Sequence, residues 1–111
     1  MSHKALNAVN PQRPKRVAIV VSNPAVSTTL GWPVGFWWAE LTHPYFHFTE
    51  VGYQVEIVSP NGGRCEAEAM SNPEDASQWQ AADVISRGYL HDPEFIKLVA
   101  NTARVYDIDV D

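Results

Sequence analysis

Lys15-Arg16-Val17-Ala18-Ile19-Val20-Val21-Ser22-Asn23-Pro24 contains five consecutive apolar residues, Val17 to Val21, four of them β-branched. A strand with one face in water alternates apolar and polar side chains, whereas an unbroken run describes a strand covered on both faces, as in a parallel sheet. Pro24 closes the run. Downstream, Ala25 to Gly35 is rich in Ser, Thr, Pro and Gly and reads as a loop. From Phe36 to Val51 the apolar residues recur at Trp37, Leu41, Tyr45 and Phe48, which is the period of a helix packed along one side. Gly52 supplies its stop. Pro44 lacks an amide and crowds the preceding turn, so the helix is expected to kink or restart near Thr42 and His43. Tyr53-Gln54-Val55-Glu56-Ile57-Val58-Ser59-Pro60 alternates over its first five residues and predicts a second strand, exposed on one face near a sheet edge. Asn61-Gly62-Gly63 turns the chain. Strand, crossover helix and strand form a right-handed parallel βαβ unit, so the fold class is α/β.

Around this unit the signals are weaker. Residues 1–14, with Asn7, Asn10, Pro11 and Pro14 and no apolar period, are expected as a flexible N-terminal arm, leaving 15–111 as the domain. Arg64 to Asp111 holds no comparable buried strand. Trp79, Ala82, Val84 and Ile85 suit a short helix that ends before Gly88. A further helix is expected after His91-Asp92-Pro93, with Asp92 as cap, Pro93 in the first turn, and Phe95, Leu98 and Val99 on one face.

The chain has 111 residues, 45 % of them hydrophobic and 19 % charged, which is ordinary for one globular domain. Its net charge is -5. All four basic residues of the first third precede Glu40, and from residue 17 onward four basic residues face thirteen acidic ones. Such a body repels a phosphate backbone, so nucleic acid is not expected as a partner. No apolar run approaches the length needed to span a membrane, and no membrane partner is expected. The single cysteine, Cys65, leaves no internal disulfide and suits a reducing, cytoplasmic setting.

Two parallel strands and one helix are too few for a doubly wound sheet, and an uncovered apolar strand costs about 25 cal/mol per Å² of exposed apolar surface. A partner chain or further strands are therefore expected to cover β-strand Val17–Val21.

The sequence resembles the ThiJ/PfpI superfamily, with its class I glutamine-amidotransferase-like fold, and within it the branch of heat-shock chaperones and glyoxalase III-like enzymes. The residues that carry the likeness are Val17-Ala18-Ile19-Val20-Val21-Ser22, Gly35-Phe36-Trp37-Trp38-Ala39-Glu40-Leu41-Thr42-His43-Pro44-Tyr45 and Gly52 through Gly63, with Asp92-Pro93-Glu94-Phe95 and Asn101-Thr102 later. The resemblance implies the N-terminal part of a flavodoxin-like, doubly wound sandwich. It marks Glu40, with Pro44 four and Gly52 twelve residues on, as the carboxylic acid that hydrogen-bonds a nucleophilic cysteine and transfers a proton. It implies a cofactor-independent cysteine enzyme acting on methylglyoxal-like aldehydes or their protein adducts. The family's nucleophile elbow, a cysteine followed by histidine, has no counterpart in these residues. Cys65 follows a strand in a turn and reads as an ordinary thiol, so the chain alone is expected to be inactive.

Other readings stand beside this one. Glu40, His43 and His47 lie at offsets of zero, three and seven, which an unbroken helix would align for a metal ion, but Pro44 weakens that geometry and no metal or cofactor is expected. Trp32, Phe36, Trp37, Trp38, Tyr45, Phe46 and Phe48 read first as core; the sharper reading has Gly35 through Trp38, Gly35 and Trp37 above all, lining a substrate pocket. Asn23 lies where parallel strands place ligands, at their carboxyl ends. Asn61-Gly62-Gly63 has no following helix start and does not suit a phosphate. The partners expected are therefore a small aldehyde or unfolded protein clients, with a complementary C-terminal half or an identical subunit. A binding module or chaperone, or a pseudoenzyme of the same superfamily, is the alternative to the enzyme.

Overall fold

A computed structural model describes residues 15–26 and 33–108. The expected arm over 1–14, Trp32 and residues 109–111 lie outside them. β1 (Arg16–Val20) is followed by two short strands, β2 (Ala25–Val26) and β3 (Pro33–Val34), then α1 (Trp38–Glu50) and β4 (Gln54–Ser59). α2 (Val84–Leu90), α3 (Pro93–Ala100) and β5 (Ala103–Arg104) complete the set, with single 3-10 turns at Ala69–Ser71 and Val105–Asp107.

β1 and β4 pair in parallel, from Arg16 opposite Gln54 to Val20 opposite Val58, and α1 crosses between them. The βαβ unit read from the sequence is present. β5 pairs in parallel with the end of β4, Val58 opposite Ala103 and Ser59 opposite Arg104, so the sheet order is β1-β4-β5. β4 is thus central, not at the edge as its alternation suggested. That alternation covers the half of β4 paired only with β1, whereas Ile57, Val58 and Ser59, beside β5, are all buried. β5 escaped detection because two residues carry no period.

The expectation that β1 is covered on both faces fails within the described residues. Val17 and Ile19 are half-buried against α1, but Arg16, Ala18 and Val20 are exposed, Val20 to 58 %. The apolar run has two apolar faces, and these residues cover one. The loop expected over Ala25–Gly35 contains an antiparallel pair, Ala25 opposite Val34 and Val26 opposite Pro33.

α1 runs unbroken from Trp38 through Pro44, without the expected restart. Pro44 has no amide for the Glu40 carbonyl, but the rest of the helix packs Trp38, Leu41 and Thr42 into the interior. α2 begins later than Trp79 suggested and continues through Gly88; Trp79 and Val84 are exposed. α3 is capped as expected: the Asp92 carboxylate accepts from the amides of Glu94 at 3.0 Å and Phe95 at 3.4 Å. Phe95 and Val99 are buried, whereas Leu98 faces outward.

The core joins Val21, Phe36, Trp38, Leu41, Ile57, Phe95 and Val99, with edge-to-face contacts between Phe36 and Trp38 and between Tyr45 and Phe95, both at 5.0 Å, and a tilted pair of Tyr89 and Phe95 at 4.5 Å. Most of the aromatic cluster therefore works as packing. No helix among the described residues is long and apolar enough to cross a membrane.

Candidate functional site

Gly35 decides how the chain enters the site. A Cβ there would strike the Glu66 carbonyl oxygen, so only glycine lets the backbone at 66–68 lie against this segment. The Phe36 amide donates to the Glu66 carbonyl at 3.1 Å and the Glu68 amide donates to the Phe36 carbonyl at 2.8 Å, which registers Ala67 beside Phe36 as a parallel bridge. Trp37 then caps α1, and its carbonyl accepts from the Glu40 amide at 3.0 Å, setting Glu40 in the first turn.

The result is a cleft of about 430 Å³ at the carboxyl end of β1, lined among others by Ser22, Gly35, Trp37, Glu40 and Glu68. Three residues singled out from the sequence, Gly35, Trp37 and Glu40, share this one cavity. Gly35 contributes by letting the 66–68 backbone approach. Glu68 was missed: it sits in an irregular segment with no periodicity, and only the pairing of 66–68 against Phe36 brings it to the cleft.

Asn23, the fourth, does not line the cleft and is committed to a hydrogen-bonded bracket at the strand ends. Its side-chain amide donates to Ser59 Oγ at 3.2 Å and the Gly62 carbonyl at 3.1 Å, and its Oδ1 accepts from the Asn61 amide at 2.8 Å. Thr102 Oγ1 donates to the Gly63 carbonyl at 2.5 Å, so the Ser59 hydroxyl must be the donor in its 2.7 Å contact with Thr102. Donation therefore runs in one direction from Asn23 through Ser59 and Thr102 to Gly63, pinning the Asn61-Gly62-Gly63 turn to the sheet. Cys65 is packed beside this chain, 4 % exposed, with its sulfur 3.9 Å from the Asn23 amide nitrogen and 3.8 Å from Thr102 Oγ1.

His43 turns away from Glu40. Its Nε2 lies 2.8 Å from Asp83 Oδ1, beside a second cavity of about 320 Å³ between α1 and the start of α2. Asp83 also accepts from the Ser86 amide at 3.1 Å and hydroxyl at 2.6 Å, and Ser86 Oγ lies 2.6 Å from Thr42 Oγ1. Since the Ser86 proton goes to the carboxylate, Thr42 is the donor in that last contact. Burial pushes the Asp83 carboxyl up, but the Ser86 hydroxyl and amide and the His43 ring outweigh it and hold the group below the usual carboxylate range. His47 is exposed. Among the described residues no group of three or more His, Cys, Asp or Glu is placed to hold a metal ion.

Among solved structures the chain is similar to the 24 kDa Rapid Encystment Protein of Francisella tularensis, with 25 % identity and a TM-score of 0.69 over 86 % of this chain and 39 % of that one. A second crystal structure matches at 27 % identity and a TM-score of 0.57, over 83 % of this chain and 35 % of the other. The chain thus spans well under half the length of either neighbour. No family profile and no curated protein matches it. Sheet order, crossover helix and these neighbours together describe a mixed α/β fold whose three-stranded parallel sheet, flanked by helices, is compatible with part of a flavodoxin-like sandwich.

Proposed function

We propose that this chain carries the acid-bearing part of a cofactor-independent cysteine site of the ThiJ/PfpI kind, acting on methylglyoxal-like aldehydes in a reducing, cytoplasmic setting. The observation that supports the reading is the single cleft at the carboxyl end of β1 that gathers Gly35, Trp37 and Glu40. In the proposed step a thiolate sulfur bonds to the carbonyl carbon, the C=O pair moves to oxygen, and that oxygen takes the proton of the Glu40 carboxylic acid. Cys65 does not suit the nucleophile, being buried beside Asn23 and Thr102 and not among the described residues that line the cleft. The thiolate then comes from a complementary segment or subunit.

The test is the purified chain titrated with hydroxyacetone, a methylglyoxal analogue without the aldehyde, and read by two-dimensional NMR. Shifts concentrated on Ser22, Gly35, Trp37 and Glu40 are expected, with methylglyoxal consumed no faster by the chain than by its Glu40→Gln variant. Shifts elsewhere, or turnover that Glu40→Gln abolishes, would overturn the reading. A second reading, binding of unfolded clients or of a second subunit, draws on the open face of β1, where Ala18 and Val20 are exposed.

A further inference from the structure

Asn61 is followed by Gly62, and an asparagine before glycine stands next to its own nucleophile: the following backbone nitrogen can attack the side-chain carbonyl carbon, unhindered by any side chain on the attacking residue. Asn61-Gly62 is the one such pair in the sequence. Asn10, Asn23 and Asn72 precede proline, whose nitrogen has no hydrogen to lose, and Asn101 precedes the β-branched Thr102 with its side-chain amide engaged on the Lys97 carbonyl at 3.0 Å. The Asn61 side chain is exposed and, among the described residues, makes no hydrogen bond.

The fold cannot exchange Gly62 for a residue that would shield the pair. Its φ of 71° lies in the left-handed region, and a Cβ on it would stand 3.2 Å from the Arg104 nitrogen. The Gly62 amide, the attacking group, is held only by a 3.4 Å bond to the Ser59 carbonyl, longer than an ordinary amide-to-carbonyl bond. The Asn61 amide is tied more firmly, to Asn23 Oδ1 at 2.8 Å. Local opening of the bracket therefore frees the Gly62 nitrogen without unfolding the sheet.

We propose that Asn61 is a site of spontaneous deamidation, gated by the Asn23 bracket. The Gly62 nitrogen gives its proton to a solvent base and bonds to Asn61 Cγ; the Cγ–Nδ2 bond breaks, and the side-chain nitrogen takes up a proton and leaves as ammonia, closing a succinimide ring. Water then opens the ring, giving aspartate when it attacks Cγ and isoaspartate when it attacks the main-chain carbonyl carbon. Isoaspartate inserts a methylene into the backbone between the Asn61 amide and the Gly62 carbonyl, the two groups that the Asn23 side chain holds on either side of it, so the bracket no longer fits the turn.

The experiment incubates the purified chain at mildly alkaline pH and follows residue 61 by peptide mass spectrometry and by methyl transfer from an isoaspartyl methyltransferase. Conversion at Asn61 is expected, faster as pH rises, slower in the native chain than in the same chain unfolded in urea, and several-fold faster in Asn23→Ala than in the wild type. Thr102→Val, which removes the hydroxyl that ties the Gly63 carbonyl, should accelerate it as well and serves if Asn23→Ala does not fold. Asn61→Gln, whose longer side chain must close a larger ring, should stay unmodified. A native chain that stays intact while the unfolded chain converts would overturn the site. Equal rates in the native and unfolded wild type, or in the wild type and the folded bracket variants, would overturn the gating.

Discussion

Asn23 illustrates how a residue chosen for its place acquires a different task from its contacts. Its position after β1 is legible from the strand run and Pro24, but its partners Ser59, Asn61 and Gly62 lie 36 to 39 residues away and no local pattern announces them. Asn23→Ala removes donors to two acceptors and an acceptor for the Asn61 amide, so a loss of about 2 kcal/mol is expected by urea unfolding. The same variant loosens the wall over Cys65, and the thiol, buried in the native chain, should react with a labelling reagent several-fold faster than in the wild type. Equal labelling rates would show that Asn23 does not shield the sulfur. Gly35 follows the same logic: its glycine is plain in the sequence, yet the reason for it, the Glu66 carbonyl where a Cβ would stand, belongs to the fold.

Between elements, α1 and α2 are joined by the polar series Thr42, Ser86, Asp83 and His43. Asp83 caps the start of α2 and takes an α1 histidine in the same carboxylate, so Asp83→Ala is expected to cost about 1 to 3 kcal/mol by thermal or chemical unfolding. Its pH dependence has a definite sign. Asp83 is held below its ordinary range in the folded chain, so its contribution is fully present above the unfolded carboxylate value of about 3.9 and is lost as pH falls through the folded one. Stability measured from pH 6 down to pH 2 should therefore fall less steeply in Asp83→Ala than in the wild type. The helices themselves were legible: α1 from its four, four, three spacing, α3 from Asp92-Pro93. The junction was not, because His43 is read beside Glu40 and His47 on one helix until α2 presents Asp83.

For the molecule as a whole, the decisive feature is a sheet with one face toward α1 and the other carrying exposed Ala18 and Val20. Val20, 58 % exposed, is the large apolar residue on that face, beside Ala18 and the polar Arg16, Gln54 and Glu56, and an exposed apolar side chain at the strand end favours association. Light scattering at tens of micromolar is expected to give a mass above that of the monomer, and Val20→Glu, at an exposed position, should restore the monomer with little change in unfolding. A wild-type monomer that binds no hydrophobic dye would count against coverage by a subunit or client. The amino-acid sequence by itself determined the α/β class, the parallel pairing of two strands across a helix and the capped start of α3, since hydrophobic period and capping are properties of neighbours along the chain. Only the tertiary structure decided that β4 is central, that among the described residues β1 is open on one side, and that Glu68 joins Glu40 in one cleft, since strand order and the approach of distant backbones depend on pairings that no local stretch encodes.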